Sequence, residues 1–121
     1  MDLDWAASNP YDPSYENRKE HGFYVFRDDS TSKLSTLPIS GEGATYKSMP
    51  NVEPVPEVEG KTFIAMFHTH PNPSTERDPT TNDFFFAGPS SGDHSFTLRY
   101  QIGGIIRSHK GLHYYGWPEL K

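Results

Sequence analysis

The stretch FIAMFHTHP, Phe63 to Pro71, decides how this chain is read. Its first five residues are apolar, as a buried strand requires, and it then places two histidines one residue apart. Side chains at i and i+2 of an extended chain point to the same side, so His68 and His70 offer two imidazoles to one point in space. This is the geometry of a metal chelate, and its plain alternative is a pair of rim residues at a strand end.

Working outward, Thr62 to His70 reads as the strongest strand candidate of the chain. Upstream, EHGFYVFR (Glu20 to Arg27) is aromatic and β-branched and ends at the turn-forming DDS, which predicts a first strand. The run KLSTLPI, bounded by Gly41 and Gly43, follows as a second. SMPNVEPVPEVEGK carries Pro50, Pro54 and Pro56, so it is expected as a connecting loop. Downstream, Pro71 to Ser91 holds four prolines and no period outside DFFF, and within it Pro71 to Pro89 is expected as a mobile flap beside the site. Ser90 or Ser91 can cap a short helix reaching about Tyr100, with Phe96 and Tyr100 on its inner side. QIGGIIRS and GLHYYGW, joined by HKG, predict a C-terminal hairpin. No helix longer than about three turns is expected.

The whole chain sets the bounds. At 121 residues it is one α/β domain, 1–121, with 1–14 read as a disordered or linker segment. Eleven prolines and ten glycines make it loop-rich yet short of the composition of a disordered chain. The net charge of -5 and the scattered Lys and Arg residues leave no basic face to neutralise phosphates, so nucleic acid is excluded as a partner. With no cysteine there is neither a disulfide framework nor a thiolate site, and imidazole and carboxylate remain as the strong metal ligands. No apolar run approaches the ~20 residues of a membrane span, and MDLDWAASNP lacks the apolar core of an export signal.

Beyond the long loop lies PSSGD, Pro89 to Asp93. A carboxylate at a helix start facing the two imidazoles completes a three-ligand set, His68, His70 and Asp93, with the fourth position of one zinc ion left for water. A water so held needs a proton acceptor, and Glu20, at the head of the neighbouring strand, can supply it. Each residue also has an ordinary reading. Glu20 alone would be a solvated strand-end carboxylate and Ser90 a helix cap. His21, His94, His109 and His113 lack partner spacing and default to the surface. Phe84, Phe85 and Phe86 are expected to pack under the loop rather than stand exposed as a grip for a protein. Tyr114, Tyr115 and Trp117 are expected as core and edge of the last strand.

Taken in order, Glu20, then His68-Thr69-His70-Pro71, then Ser90-x-x-Asp93 resembles the signature of the JAMM/MPN zinc metallopeptidases. The resemblance runs from about Tyr15 to Trp117, and ENRKEHGFYVFRD, TLPISG and FHTHP look most like the JAB-type C-terminal toxin domains of bacterial Rhs and other polymorphic toxins. In P-S-x-x-D the chain is also similar to the RadC branch. This resemblance implies a cytidine-deaminase-like α/β fold with a curved mixed sheet flanked by few short helices, one zinc, and hydrolysis of a peptide or isopeptide bond. It matches His68, His70 and Asp93 to the zinc ligands, Glu20 to the general acid/base and Ser90 to the serine that hydrogen-bonds the oxyanion. It further implies a protein or peptide substrate, a cognate immunity protein as partner, and a secreted effector acting in the cytoplasm of a target cell. A second register exists at Thr80-x-x-Asp83. Ser90 and Asp93 are preferred, because Pro89-Ser90 fits the start of the motif and a helix can follow, whereas Asp83 runs into three phenylalanines. The long N-terminal helix usual in that fold is reduced to PSYENRKE. Two other classes compete with the peptidase: a non-catalytic MPN-type binding module, and a zinc amidase acting on another amide such as peptidoglycan.

Overall fold

The computed structural model describes residues 1–116. A five-stranded mixed sheet in the order β2-β1-β3-β4-β5 carries one short helix on each face. Its strands are β1 (Gly22–Asp28), β2 (Leu34–Pro38), β3 (Lys61–Thr69), β4 (Gly103–Ser108) and β5 (Gly111–Gly116). β3 lies at the centre, antiparallel to β1 and parallel to β4. An α/β domain with few short helices is therefore what the chain forms. The strand from FIAMFHT is buried on both faces from Ala65 to Thr69, as a central strand should be.

The helix α2, Ser91–Tyr100, supplies the crossover between parallel β3 and β4. Phe96 is buried and Tyr100 half-buried, and both rings pack against Phe63 of β3. Around them Tyr24, Phe26, Ile39, Met49, Met66 and Ile102 form the core on this face. At its C-terminus Gln101 turns left-handed, φ 54°, and sends the chain directly into β4. PSYENRKE forms only one turn of 3₁₀ helix, Tyr15–Asn17, and SMPNVEPVPEVEGK is loop apart from a turn at Pro50–Val52.

Residues 1–14, expected as a linker, instead fold back onto the sheet. Helix α1, Asp2–Ala7, buries Trp5 on the face opposite α2, where the Arg107 guanidinium lies 4.7 Å from its ring. Tyr11 and His109 close edge-on around the same indole at 6.1 and 5.0 Å. An indole offers enough apolar area to hold a short helix that could not persist in isolation. No helix among the described residues is long and apolar enough to cross a membrane.

Candidate metal centre

β1 begins at Gly22, later than expected, so Glu20 and His21 precede the strand rather than open it. The join to β3 is tight. Gly22 pairs with His68, and a Cβ there would collide with the Phe67 carbonyl oxygen. The Thr69 amide donates to the His21 carbonyl at 2.8 Å, and the His21 amide donates to Thr69 Oγ1 at 2.9 Å. Glycine thus lets β1 close on β3 where His68 emerges, and it brings Glu20 to the mouth of the same cavity.

The Nε2 atoms of His68 and His70 stand 3.1 Å apart. Asp93 straddles the pair, Oδ1 lying 3.3 Å from His68 Nε2 and Oδ2 lying 3.3 Å from His70 Nε2. Donors of a tetrahedral zinc site with bonds of ~2.0–2.1 Å are separated by about 3.3 Å, which is close to the imidazole–imidazole distance and to the distance from each imidazole to its own oxygen of Asp93; with one ligand atom per residue, the three lie within 4.8 Å of one another. The chemistry agrees, since two imidazole nitrogens directed at one carboxylate form the N,N,O set expected of an open, catalytic site. Among the described residues this is the group of side chains able to hold a metal ion. Asp83 takes no part: it is exposed, and its carbonyl accepts from the Asp78 amide in a turn.

The placement of Asp93 follows from helix capping. Ser90 Oγ accepts from the Asp93 amide at 3.1 Å, and Asp93 Oδ2 accepts from the Ser90 amide at 2.9 Å, a reciprocal pair that fixes both side chains at the start of α2. The two readings of Ser90 are thereby reconciled, because an oxygen that accepts at the cap keeps its own proton to donate into the cavity.

The electrostatics follow from the crowding of these groups. For Asp93 burial opposes ionisation, but the hydrogen bonds from His68 and His70 outweigh it and hold the carboxyl far below its usual range. Burial likewise disfavours a charged His68, yet its bond to Asp93, with the charges of Asp93 and Glu20, raises its pKa. Glu20 is pushed up by burial, pulled down by His68 and His70, and raised again by Asp93. The shift is in the direction that a carboxyl serving as a proton carrier needs.

The loop after His70 is more organised than a free flap. The His70 amide donates to the Arg107 carbonyl, His109 Nε2 bonds the Pro71 carbonyl at 2.9 Å, and Asn72 Nδ2 donates to the Tyr46 carbonyl at 2.7 Å. Arg18, which looks like any solvated cation in the sequence, is 1 % exposed. It donates to both Glu76 oxygens at 2.8 and 3.0 Å, to Asn72 Oδ1 at 3.3 Å and to the Asp12 carbonyl at 3.0 Å. Farther on, Arg77 and Phe84 form an isolated β-bridge, and Lys47 bonds Asp78 and Thr80. The expectation for the phenylalanines is corrected: Phe84 and Phe86 are 57 % and 74 % exposed, because the loop turns back before either ring can reach the core.

His94 lies edge-on to Tyr115 at 5.5 Å, and His113 bonds Ser108, so neither enters the metal group. Tyr115 is buried and Tyr114 exposed, while Trp117 lies outside the described residues. Comparison with protein-family models, curated proteins and solved structures returned no match.

Proposed function

We propose that this domain is a zinc-dependent hydrolase of peptide or isopeptide bonds, of the JAMM kind its motifs resemble, acting as a bacterial effector. One observation carries the proposal: His68 and His70 converge on Asp93, each imidazole Nε2 lying 3.3 Å from one of its oxygens, with Glu20 and Ser90 lining the same cavity.

His68, His70 and Asp93 would hold the ion, which when bound acidifies a water and polarises a carbonyl. Glu20, kept out of the ligand set, takes a proton from the attacking water and returns it to the leaving amine. The hydroxyl of Ser90, free to donate once its oxygen has accepted at the cap, points its proton toward the developing oxyanion. Asp93 holds the imidazoles in place while remaining ionised. The complete ligand set favours this reading over the binding module, which needs no donors at all. The amidase shares the same machinery and differs only in substrate.

The test is zinc analysis of the purified domain, combined with mass-spectrometric detection of new termini in peptides and in isopeptide-linked conjugates incubated with it. Stoichiometric zinc and hydrolysis abolished by Glu20→Gln are expected. Zinc binding without cleavage of any amide would leave the binding module as the better account.

A further inference from the structure

The cavity beside the metal group has a volume of about 360 Å³, larger than the reacting atoms of an amide need. Its floor is made by Met66 of β3 and Phe96 of α2, its wall by Met49 and Val52 from the loop before β3, and its rim by Phe85 and Phe86. These side chains are all apolar. Phe86 is 74 % exposed and lines the cavity.

Charge narrows the choice of occupant. The cations that reach this cavity, Lys47 and Arg99, are already bound, Lys47 to Asp78 at 3.4 Å and Arg99 to Glu53 at 2.9 Å. An acidic substrate group would have to compete with these carboxylates for them. A basic one meets Asp93 and Glu20 at the metal end, where the imidazoles stand, and Glu53, whose carboxylate is already bonded to Arg99 and Tyr100. An uncharged side chain that buries against Met49, Val52, Met66 and Phe96 and slides under Phe86 gains the most.

We infer that the cavity is a specificity pocket for a bulky apolar residue, aromatic or leucine-like, adjoining the bond that is cut. This inference rests on reading the site as an amide hydrolase. It makes Phe86 and Val52 specificity-determining residues, and it predicts that glycine beside the scissile bond is disfavoured.

Two measurements on the full chain test it. In the first, N-acetyl-L-phenylalaninamide, N-acetyl-L-leucinamide and N-acetylglycinamide are titrated into the ¹⁵N-labelled protein, with and without zinc, and amide shifts are followed at Met49, Val52 and Phe86. The phenylalanine and leucine compounds should bind on the order of tenfold or more tighter than the glycine compound. Phe86→Ser and Val52→Ser should shrink that ratio, while Phe84→Ser, which removes an exposed ring outside the cavity, should not. In the second, cleavage of a mixed peptide pool should place apolar residues next to the cut, with Phe86→Ser raising KM far more than it lowers kcat. Equal affinity for all three amides, or a preference for charged neighbours at the cut, overturns the pocket. Apolar amide binding without any cleavage retains the pocket and removes the hydrolase; cleavage without side-chain preference does the reverse.

Discussion

Ser90 and Asp93 hold each other at the start of α2, the serine hydroxyl accepting from the aspartate amide and the aspartate carboxylate accepting from the serine amide. Since the same carboxylate faces both imidazoles, the cap and the metal group share one side chain. Ser90→Ala should cost about 1 kcal/mol in stability, the usual value of an N-cap. It should also weaken zinc binding, because Asp93 loses the contact that orients its backbone. Ser90→Thr keeps the cap and should restore both. Thermal melts and zinc titrations of the two variants check this; unchanged zinc affinity in Ser90→Ala would separate cap from site.

Asp93→Ala should strip the zinc, while Asp83→Ala should leave it bound. Metal analysis of the two purified proteins decides the register, and loss of metal from Asp83→Ala alone would refute the assignment.

Glu20→Gln keeps the size of the side chain and all three donors, so zinc content and melting temperature should stay near those of the parent. Activity should fall by ~10²–10⁴ or more, since one residue serves both proton transfers. Expressed at equal level inside a susceptible bacterium, the parent domain should slow growth and Glu20→Gln should not. Equal toxicity with zinc retained would count against hydrolysis as the cause.

Zinc binding should be steeply pH-dependent because it displaces the proton of His68. That imidazole has a folded pKa above the ordinary 6.5, so in the metal-free protein its charged pair with Asp93 adds stability below about 6.5, lost as pH rises through the folded value. Asp93 works in the opposite sense: its depressed pKa adds stability that is complete above the ordinary 3.8 and is lost progressively as pH falls below it toward the folded value. Zinc requires neutral imidazole, so its affinity should climb toward tenfold per pH unit below the His68 pKa and level off above it. Calorimetric titration between pH 6 and 8 measures the slope, and a flat profile would contradict the raised His68.

Arg18 should be a strong structural dependence despite its plain sequence context. Glu76→Ala leaves a nearly buried guanidinium without its carboxylate and should cost about 1–3 kcal/mol. The loss should also loosen the chain after His70, seen as faster amide exchange at Asn72 and Glu76. Arg18→Met removes the buried charge and leaves Glu76, which is 43 % exposed, to water, so it should cost less than Glu76→Ala.

Local sequence carried much of the fold. The aromatic and β-branched run in EHGFYVFR, the apolar run before the i, i+2 histidines and the serine three residues before Asp93 each act through neighbours on the same element, so β1, β3 and α2 were legible as patterns. The C-terminal hairpin was legible for the same reason. Contacts between distant segments were not. Which of two aspartates reaches the histidines depends on where the crossover helix lands on the sheet. The burial of Arg18 depends on Glu76, 58 residues away, and the seating of Trp5 depends on Arg107 and His109. Nor does composition show that Phe84 and Phe86 face outward, because apolar residues in a loop read alike whether the loop folds under or over. The sequence by itself determined the chemistry available, two imidazoles, a helix-start carboxylate and a spare glutamate. Only the tertiary structure decided that these share one cavity with a free apolar wall, since long-range packing, not local preference, closes Gly22 onto His68 and lays α2 across the sheet.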